Sequence, residues 1–382
     1  MRFSYEQGPI RPPSEAKSLL IRVTRNCPWN KCAFCHTYRG TKFQIRKVED
    51  VKKDITTARE IADKIRELSW KMGQGGETNE HVVNHIYHEG GSFDDSYRSV
   101  AAWLYFGGTS VFLQDANTII MKTADLVEVI SFIKEQFSTV DRITSYCRSK
   151  TACRKSVEEF KKLKDAGLSR IHIGLESGYD PLLKFIDKGV TAEEHVKGGR
   201  NIVESGISLS EYVIPGLGGE KWSKEHAEET AKVLNRINPD YIRLRSLQVR
   251  HNTELYKMRE EGKFKKLSDE DVVKEIRLFI ENLDGIQSRV VSDHILNLLE
   301  ELEGKLPEDK EKLLEIIDRY FALPEDDRII YRIGRRKGIY RRLDDLSDMR
   351  VYQTLKTIVD EYKKKGVGAL DRDLYKIMHS FI

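Results

Sequence analysis

The sequence of 382 residues has few cysteines and no long apolar run, and both absences exclude classes of protein. No stretch of about 18 apolar residues occurs, so no transmembrane helix and no membrane partner are expected. Five cysteines, three of them clustered, do not suit a disulfide framework and indicate a reducing, cytoplasmic setting. Residues 1–15 are polar with three prolines, which is not typical of a signal peptide. The net charge of +4 is too small to indicate nucleic-acid binding by itself.

The clustered cysteines are the most informative feature of the sequence. Cys27, Cys32 and Cys35 follow the largely apolar stretch 19–23. Three thiolates at this spacing can hold a polynuclear iron centre and leave one iron open to a small chelating ligand. Soft thiolates also bind zinc, and His36 could act as a fourth ligand. The spacing alone therefore leaves an iron–sulfur cluster and a zinc site as alternatives.

Apolar segments of strand length alternate along the chain with charged amphipathic segments. The predicted strands are 19–24, 109–114, 142–147, 170–175, 208–214 and 241–247. The predicted helices, with apolar residues at steps of three and four, are 48–71, 126–137, 157–166, 192–204 and 224–235. Strand–helix alternation of this length predicts an α/β fold built from parallel βαβ units.

Alternation within two strands indicates which side chains could line a binding site. His172, Gly174 and Glu176 share one face of their strand, and Arg243 and Arg245 share one face of theirs. Helices cover the outside of a barrel, so we expect the polar faces to point inward. A polar interior suggests a site that holds a ligand, with its active face at the carboxyl ends of the strands.

The cysteine loop, with Phe34 just before its last cysteine, resembles the cluster loop of the radical S-adenosylmethionine (SAM) superfamily. The resemblance implies that Cys27, Cys32 and Cys35 hold a 4Fe–4S cluster whose free iron binds S-adenosyl-L-methionine. One-electron cleavage of SAM then gives a 5′-deoxyadenosyl radical, which abstracts hydrogen from a substrate. The usual pattern has three residues between the first two cysteines, whereas this sequence has four. The implied fold is a partial (β/α)6 TIM-type barrel.

Residues at the ends of the second and third predicted strands match the superfamily further. Gln114 and Asp115 resemble a motif of the tRNA methylthiotransferase branch whose polar groups hold the SAM amino group. Ser145 and Arg148 end the third strand, where Arg148 could bind the SAM carboxylate through a forked pair. Asp115 could instead cap a helix, and Arg148, Arg243 and Arg245 could be members of structural ion pairs.

The fourth and fifth strands carry two more resembling segments. Glu176 and Ser177 lie in a run similar to that of anaerobic coproporphyrinogen oxidases and the Elongator catalytic subunit, where the glutamate accepts from ribose hydroxyls. Pro215 and Gly216 lie in a run similar to the adenine-binding turn, and Phe34 matches the aromatic residue beside the adenine. The subfamily is not identified. Glu176 could also be a helix cap, and the turn could be an ordinary loop.

The chain is expected to divide into a barrel of residues 1–250 and a helical C-terminal region of residues 251–382. Within the barrel, residues 71–106 form an insertion that could shape the substrate site. The C-terminal region has a basic cluster that either pairs with nearby acids or clamps an anionic substrate. This basic cluster consists of Arg332, Arg335, Arg336, Lys337, Arg341 and Arg342.

Two other groups have open roles. His81, His85 and His88 lie on one face of a predicted helix and could bind a metal or an anion, although such rows are more often solvated. Cys147 and Cys153 are expected to be packing residues, since two cysteines cannot build a second cluster. A more specific hypothesis is that Cys147 donates a hydrogen atom to a product radical.

The predicted function is that of a radical SAM enzyme acting on a small molecule or cofactor precursor, with anionic substrates among the candidates. A low-potential electron donor is the expected protein partner. Within the enzyme class, the alternative is tRNA modification, although a nucleic-acid partner is not expected because no RNA-binding domain is evident. From another class, the alternative is a non-enzymatic, zinc-stabilised binding protein.

Overall fold

The structure, a computed structural model, describes residues 4–88 and 93–365, with side chains described as far as residue 361. Two compact units are distinguished. The first lies within Met1–Leu175, Leu183–Glu211 and Asn252–Glu254, and the second within Glu176–Leu182, Tyr212–His251 and Leu255–Ile382. None of the helices in the described residues is long and apolar enough to cross a membrane.

The first unit contains alternating strands and helices, as the sequence predicts. Its strands are β1 (Leu19–Arg22), β2 (Thr24–Arg25), β3 (Gln44–Ile45), β4 (Ser110–Gln114) and β5 (Arg142–Cys147), with most of β6 (Leu168–Glu176) and of β7 (Ser208–Val213). Its helices are α1 (Val48–Lys71), α2 (Glu80–His88), α3 (Asp95–Tyr105), α4 (Thr123–Gln136), α5 (Ser149–Ala152), α6 (Val157–Ala166) and α8 (Ala192–Glu204), with part of α7 (Asp180–Phe185).

The second unit contains the ends of β6 and β7 and the remaining elements. These are α9 (Gly219–Ile237), β8 (Tyr241–Leu244), α10 (Glu254–Glu260), α11 (Asp269–Glu281), β9 (Arg289–Val291), β10 (Gly304–Lys305), α12 (Lys310–Ala322), α13 (Glu325–Arg336) and α14 (Met349–Lys365). The strands β9 and β10 were not predicted, because runs of three and two residues give no recognisable alternation. The division of the chain at residue 250 stays a prediction.

The strands are hydrogen-bonded in the order β1-β4-β5-β6-β7-β8-β9-β10, and β2 and β3 form a separate ribbon. Strands β1, β4, β5 and β6 pair in parallel, as do β8 and β9, while β10 is antiparallel to β9. Parallel strands joined by helices make this an α/β fold of the predicted TIM-type partial barrel.

Local sequence signals explain where several helices begin and end. Ser156 and Thr191 each cap a helix reciprocally with the glutamate three residues later, at the starts of α6 and α8. Gly167 ends α6 with a φ of 124°, in the left-handed region. These signals explain why the predicted bounds of α6 and α8 agree with the structure.

The strand faces follow the predicted alternation. Buried His172 lies beside Tyr146 of β5 and Phe112 of β4, with ring centroids 5.9 Å and 6.4 Å apart. Its Nε2 atom also lies 3.4 Å from the carboxylate of buried Glu15. The polar face of β6 therefore packs among aromatic and polar side chains of the same unit.

The insertion 71–106 folds as α2 and α3. Helix α3 begins at the N-cap Asp94, which accepts hydrogen bonds from two backbone N–H groups. It packs on α1 and β1 through buried residues that include Val100 and Trp103. The apolar part of the insertion thus covers the β1 edge of the sheet.

Candidate functional site

The cysteines lie in a loop, residues 26–43, that connects β2 to β3. Asn26 and Asn30 adopt left-handed backbone conformations, with φ values of 66° and 51°. Their side-chain amides donate to the backbone carbonyls of Lys42 (2.7 Å) and Thr41 (3.2 Å). Asparagine tolerates this conformation and bonds to nearby backbone. The two asparagines therefore tie the start of the loop to its end.

The four-residue spacer between Cys27 and Cys32 anchors the loop to the segment after α7. The Trp29 indole nitrogen donates to the carbonyl of Asp187 (2.6 Å), and the N–H of Ala33 donates to Ile186 (2.8 Å). A Cβ atom on Gly189 would lie 2.4 Å from the Trp29 ring, so only glycine fits there. The spacer with its extra residue is thus packed against the segment that follows α7.

The three thiols share one electrostatic environment. Burial raises the pKa of Cys32 to about 11, the charges of Cys35 and Cys27 add to the shift, and Lys188 and Arg148 oppose it. Burial likewise raises the pKa of Cys35. A metal centre that binds here must therefore displace protons, and the two nearby cations would offset the charge of three thiolates.

A polynuclear centre and a single metal ion require different arrangements of their ligands. Among residues 4–88 and 93–365, no group of three or more His, Cys, Asp or Glu side chains is placed to hold a metal ion. A cluster joins its cysteines through several irons and sulfides, and so spans thiolates that lie further apart. A cluster held by Cys27, Cys32 and Cys35 stays a prediction, and a zinc site with His36 stays its alternative.

Asp115 holds the cysteine loop at Asn26 and at Tyr38. It is fully buried, and its carboxylate accepts hydrogen bonds from the Arg22 guanidinium (2.7 Å), the backbone N–H of Asn26 (3.2 Å) and the Tyr38 hydroxyl. Asp115 therefore lies where the sequence predicts, after β4, but its described partners are protein groups. Tyr38 and Arg22 were not identified from the sequence.

The side chain of Gln114 is also occupied by protein groups. Its amide nitrogen donates to the carbonyls of Ile10 (2.7 Å) and Gly8 (3.1 Å), and its oxygen accepts from the N–H of Gly8 (2.8 Å). The amide oxygen has a second lone pair that could accept a further donor. Gln114 thus fixes the N-terminal segment, and its predicted contact with SAM stays a prediction.

Arg148 and Phe34 lie near the same loop. The Arg148 guanidinium donates to the carbonyl of Lys188 (3.0 Å) and lies 5.3 Å from the Trp29 ring centroid. The ammonium of Lys188 lies 5.8 Å from the Phe34 ring centroid. Ser145 is fully buried, and its hydroxyl donates to the carbonyls of Tyr146 (3.2 Å) and Leu113 (3.3 Å). The first unit therefore groups Phe34 and Arg148 near the cysteines.

In the second unit, Glu176 and Ser177 form the turn after β6. Glu176 has a φ of 67°, a left-handed conformation that is uncommon for this residue type. The Ser177 hydroxyl is buried and lies 2.9 Å from His226 Nδ1. His226 Nε2 lies 3.0 Å from the Ile214 carbonyl, which only accepts, so Nε2 is a donor in this contact.

Glu275 of α11 holds the Pro215–Gly216 turn within the same unit. Its carboxylate, 4% exposed, accepts from the backbone N–H of Gly216 and from the Ser223 hydroxyl, both at 2.6 Å. His226 Nε2 lies 3.7 Å from the same carboxylate. Gly216 has a φ of 84°, which favours glycine. A continuous set of contacts thus joins Ser177, His226, Glu275 and Gly216.

Glu275 was missed from the sequence for a physical reason. It lies 59 residues after Gly216, on a helix whose pattern shows only a charged surface and an apolar face. The one available signal is its position on the buried side of α11, beside Ile276 and Phe279. A carboxylate at a buried helical position needs a partner, and this could have marked it.

The three arginines of the basic cluster that lie on α13 pair with acids of the second unit. Arg336 and Arg332 bind Asp269 (2.8 Å and 3.4 Å), and Arg335 binds Glu300 (2.7 Å). Burial would raise the pKa of Asp269, but the charges of Arg336, Arg332 and Lys266 outweigh it and hold the pKa below its usual value. These three arginines thus have the structural role that the sequence left open.

The histidine row and the two remaining cysteines are not part of the cysteine loop. His81 and His88 are exposed on α2, opposite the buried Val82 and Ile86. Cys147 is buried at the end of β5, and burial raises the pKa of its thiol. A packing role for Cys147 agrees with this burial, and its hydrogen-donor role stays a prediction.

Comparison with known proteins supports the class of protein that this site suggests. Residues 96–234 match the family model described as Radical SAM superfamily. The match covers less than half of the chain, and over these residues it indicates a Radical SAM superfamily domain and hence an enzyme. The family generally uses a 4Fe–4S cluster and SAM. The cysteine loop precedes the matched residues, and Glu275 follows them.

The individual proteins to which the chain is similar share low sequence identity with it. The chain is 28% identical over 127 residues to the tRNA uridine(34) acetyltransferase of Methanocaldococcus infernus, covering 32% of this chain and 23% of that protein. For the same enzyme of Methanocaldococcus jannaschii the values are 26% over 122 residues, covering 30% and 22%. The alignments thus span less than a quarter of either relative. Among solved structures, coproporphyrinogen III oxidase from Escherichia coli aligns with a TM-score of 0.42 and 14% identity, covering 70% of this chain and 52% of that chain.

Proposed function

We propose that the protein is a radical SAM enzyme whose cluster is held by Cys27, Cys32 and Cys35. The observation that carries this proposal is the cysteine loop, with three thiols in one environment and two cations beside them. A bound 4Fe–4S cluster would supply the electron that cleaves SAM to methionine and a 5′-deoxyadenosyl radical. A low-potential electron donor is then the necessary partner.

The residues around the loop have defined tasks in this proposal. Asp115 and Tyr38 fix the loop, so that the three thiolates are oriented before the cluster binds. Arg148 and Lys188 offset the negative charge of the thiolates. Arg148 also keeps donors for the SAM carboxylate, because only one hydrogen bond from its guanidinium, to Lys188, is described.

The second unit contributes the nucleoside-binding groups that the family resemblance implies. Glu176 would accept from ribose hydroxyls, and the Pro215–Gly216 turn would contact the adenine through its backbone. The contacts that hold the turn favour this role, because Glu275 fixes the Gly216 N–H and His226 fixes the Ile214 carbonyl. A turn fixed in this way can present backbone groups to a base at little entropic cost.

Anaerobic reconstitution tests the proposal. The protein is loaded with iron and sulfide, and SAM and dithionite are added. We expect broad visible absorption that bleaches on reduction, together with formation of 5′-deoxyadenosine. Protein that takes up zinc instead, and that forms no 5′-deoxyadenosine, would contradict the proposal.

The proposed substrate is a small molecule or a cofactor precursor. A second candidate, a tRNA nucleoside, is favoured by the similarity to two proteins named as tRNA uridine(34) acetyltransferases. Both candidates share the same first step, so the rate of 5′-deoxyadenosine formation separates them. Stimulation by unmodified tRNA favours the second candidate, and stimulation by a low-molecular-weight extract treated with ribonuclease favours the first.

A further inference from the structure

We propose that the end of β8 in the second unit binds an anionic oxygen group, a carboxylate or a phosphate, of the substrate. The site consists of Arg243, Arg245 and their shared partner Asp293. The substrate assignment rests on the proposed enzymatic function. The ability of the site to bind an anion does not depend on it.

Two guanidinium groups share a single carboxylate at this site. Arg243 Nη1 lies 2.5 Å from Asp293 Oδ2, and Arg245 Nη1 lies 2.8 Å from Asp293 Oδ1. Arg243 lies in β8 and Arg245 directly follows its end, and both guanidinium groups reach the same carboxylate. Each carboxylate oxygen is engaged by one arginine, which leaves one positive charge uncompensated within this group of three.

Two buried donors of these arginines lack an acceptor. Arg243 is 6% exposed, and within the described residues no hydrogen-bond partner is found for Arg243 Nε or Arg245 Nη2. Guanidinium nitrogens can only donate, so both atoms require an acceptor. A buried charged donor without one is costly, and an anionic oxygen group would supply the acceptor.

Aromatic rings beside the arginines hold them in place. Arg245 lies 4.7 Å from the ring centroid of Tyr212, and Arg243 lies 5.4 Å from that of Tyr241. Next to Asp293, burial and then the charge of Arg245 lower the pKa of His294 to about 4, so this histidine is neutral at pH 7. Aromatic faces orient guanidinium planes, which suits forked recognition of a carboxylate or phosphate.

The arginines of the basic cluster on α13 share one feature with the β8 pair, because Arg335 Nε and Arg336 Nε also have no hydrogen-bond partner within the described residues. Their other guanidinium nitrogens, however, have more acceptors. Arg335 and Arg336 each bind an acid, and they also donate to the backbone carbonyls of Tyr340 and Leu296. The guanidinium hydrogen bonds of Arg243 and Arg245 lead to Asp293 and, for Arg245, also to the Tyr212 side chain, and none of them leads to a backbone carbonyl within the described residues. The β8 pair is therefore the better candidate for an external anion.

Anion binding to the full-length, anaerobically reconstituted protein tests the site. Inorganic phosphate and acetate are titrated separately at constant ionic strength set with chloride, with calorimetry and the thermal midpoint as readouts. We expect at least one anion to bind and to raise the midpoint. Binding of phosphate alone identifies a phosphate site, and binding of acetate alone identifies a carboxylate site.

Variants of Arg245 test whether the anion binds at this site. Arg245→Gln should weaken anion binding about tenfold or more, because it removes a charge-assisted donor pair. Arg245→Lys keeps the charge but not the fork, so it should bind with intermediate affinity and guards against misfolding of the first variant. Arg200→Gln, on the exposed face of α8, is the matched control and should bind like the wild type.

The outcomes separate this site from the enzymatic proposal. Wild-type protein that forms 5′-deoxyadenosine but binds neither anion overturns the site and leaves the enzyme class standing. Equal binding by wild type and folded Arg245→Gln also overturns it. Anion binding that depends on Arg245, in protein that does not cleave SAM, supports the site and contradicts the proposed function.

Discussion

A buried carboxylate supports each of the two segments proposed to hold the cofactors, but the two carboxylates are compensated differently. Asp115 in the first unit is paired with the charge of Arg22, and it also accepts from Tyr38 and the backbone of Asn26. Glu275 in the second unit accepts only from the neutral N–H of Gly216 and hydroxyl of Ser223 within 3 Å.

This difference indicates how strongly each segment depends on its carboxylate. A buried carboxylate paired with arginine is costly to break, because a charge is left without its partner. Burial raises the pKa of Glu275, which indicates that its surroundings offset its charge incompletely. We therefore expect the cysteine loop to depend strongly on Asp115 for stability, and the Gly216 turn to depend on Glu275 mainly for geometry.

Removing a cluster ligand should have the largest effect. Cys35→Ser should abolish the visible absorption of the reconstituted protein and the formation of 5′-deoxyadenosine, because two cysteines cannot hold the cluster. Iron and sulfide analysis checks the first result and chromatography the second. Cys153→Ser is the control, and it should retain both, since Cys153 lies outside the loop. Full activity of Cys35→Ser would remove the loop from the mechanism.

Replacing Asp115 should have the next largest effect. Asp115→Asn leaves Arg22, whose side chain is 14% exposed, with Glu6 as its remaining acid, so unfolding should become easier by about 2–3 kcal/mol. Urea unfolding of the wild type and the variant measures this change. Asp165→Asn, on the exposed side of α6, should change stability little. An unchanged Asp115→Asn would mean that the loop is held by its other contacts.

Replacing Glu275 should affect binding more than folding. Glu275→Gln cannot accept from both Gly216 and Ser223 without placing its amide nitrogen against a donor, so the turn should shift. We expect KM for SAM to rise about tenfold and kcat to change less than about twofold, as the loss of one hydrogen bond implies. Glu281→Gln, exposed on the same helix, is the control. A fall in kcat with unchanged KM would contradict this positioning role.

Replacing the carboxylate of Glu159, near the start of α6, should have the smallest effect on stability. Hydrogen bonds from the Ser156 backbone and the Thr123 hydroxyl lower the pKa of Glu159 to about 2. The folded-state pKa lies below the usual 4.5, so the stabilisation is present above pH 4.5 and is lost as the pH falls toward 2. Glu159→Gln should cost about 0.5 kcal/mol at pH 7 after solvent screening.

The pH dependence of that difference distinguishes a charge effect from a cap effect. Unfolding of the wild type and Glu159→Gln is compared at pH 7 and near pH 2, where the difference should shrink. A difference that stays constant over this range would mean that the neutral side chain caps α6 as well as the charged one does.

Much of the fold was predictable because its signals are local. Helices α1, α6 and α8 agree with the predicted bounds, since amphipathic periodicity and helix caps are written in neighbouring residues. Strands β9 and β10 were not predicted, because short strands are defined by the partner to which they bond. The cysteine loop was evident from spacing and resemblance alone.

The partners of the site residues were not predictable. The sequence places Asp115 after a strand, but its contacts with Arg22 and Tyr38 depend on how distant segments fold, 93 and 77 residues away. Arg243 and Arg245 were predicted to share a face, whereas Asp293 lies about 50 residues later. Glu275 shows the same limit, because nothing around it in sequence indicates a buried turn as its partner.

The most direct test of the central claim is the anaerobic reaction of reconstituted wild-type protein with SAM and dithionite. The account predicts 5′-deoxyadenosine in wild-type samples and none in samples of Cys35→Ser. Wild-type protein that holds a full complement of iron and sulfide, and still forms no 5′-deoxyadenosine, would contradict the account.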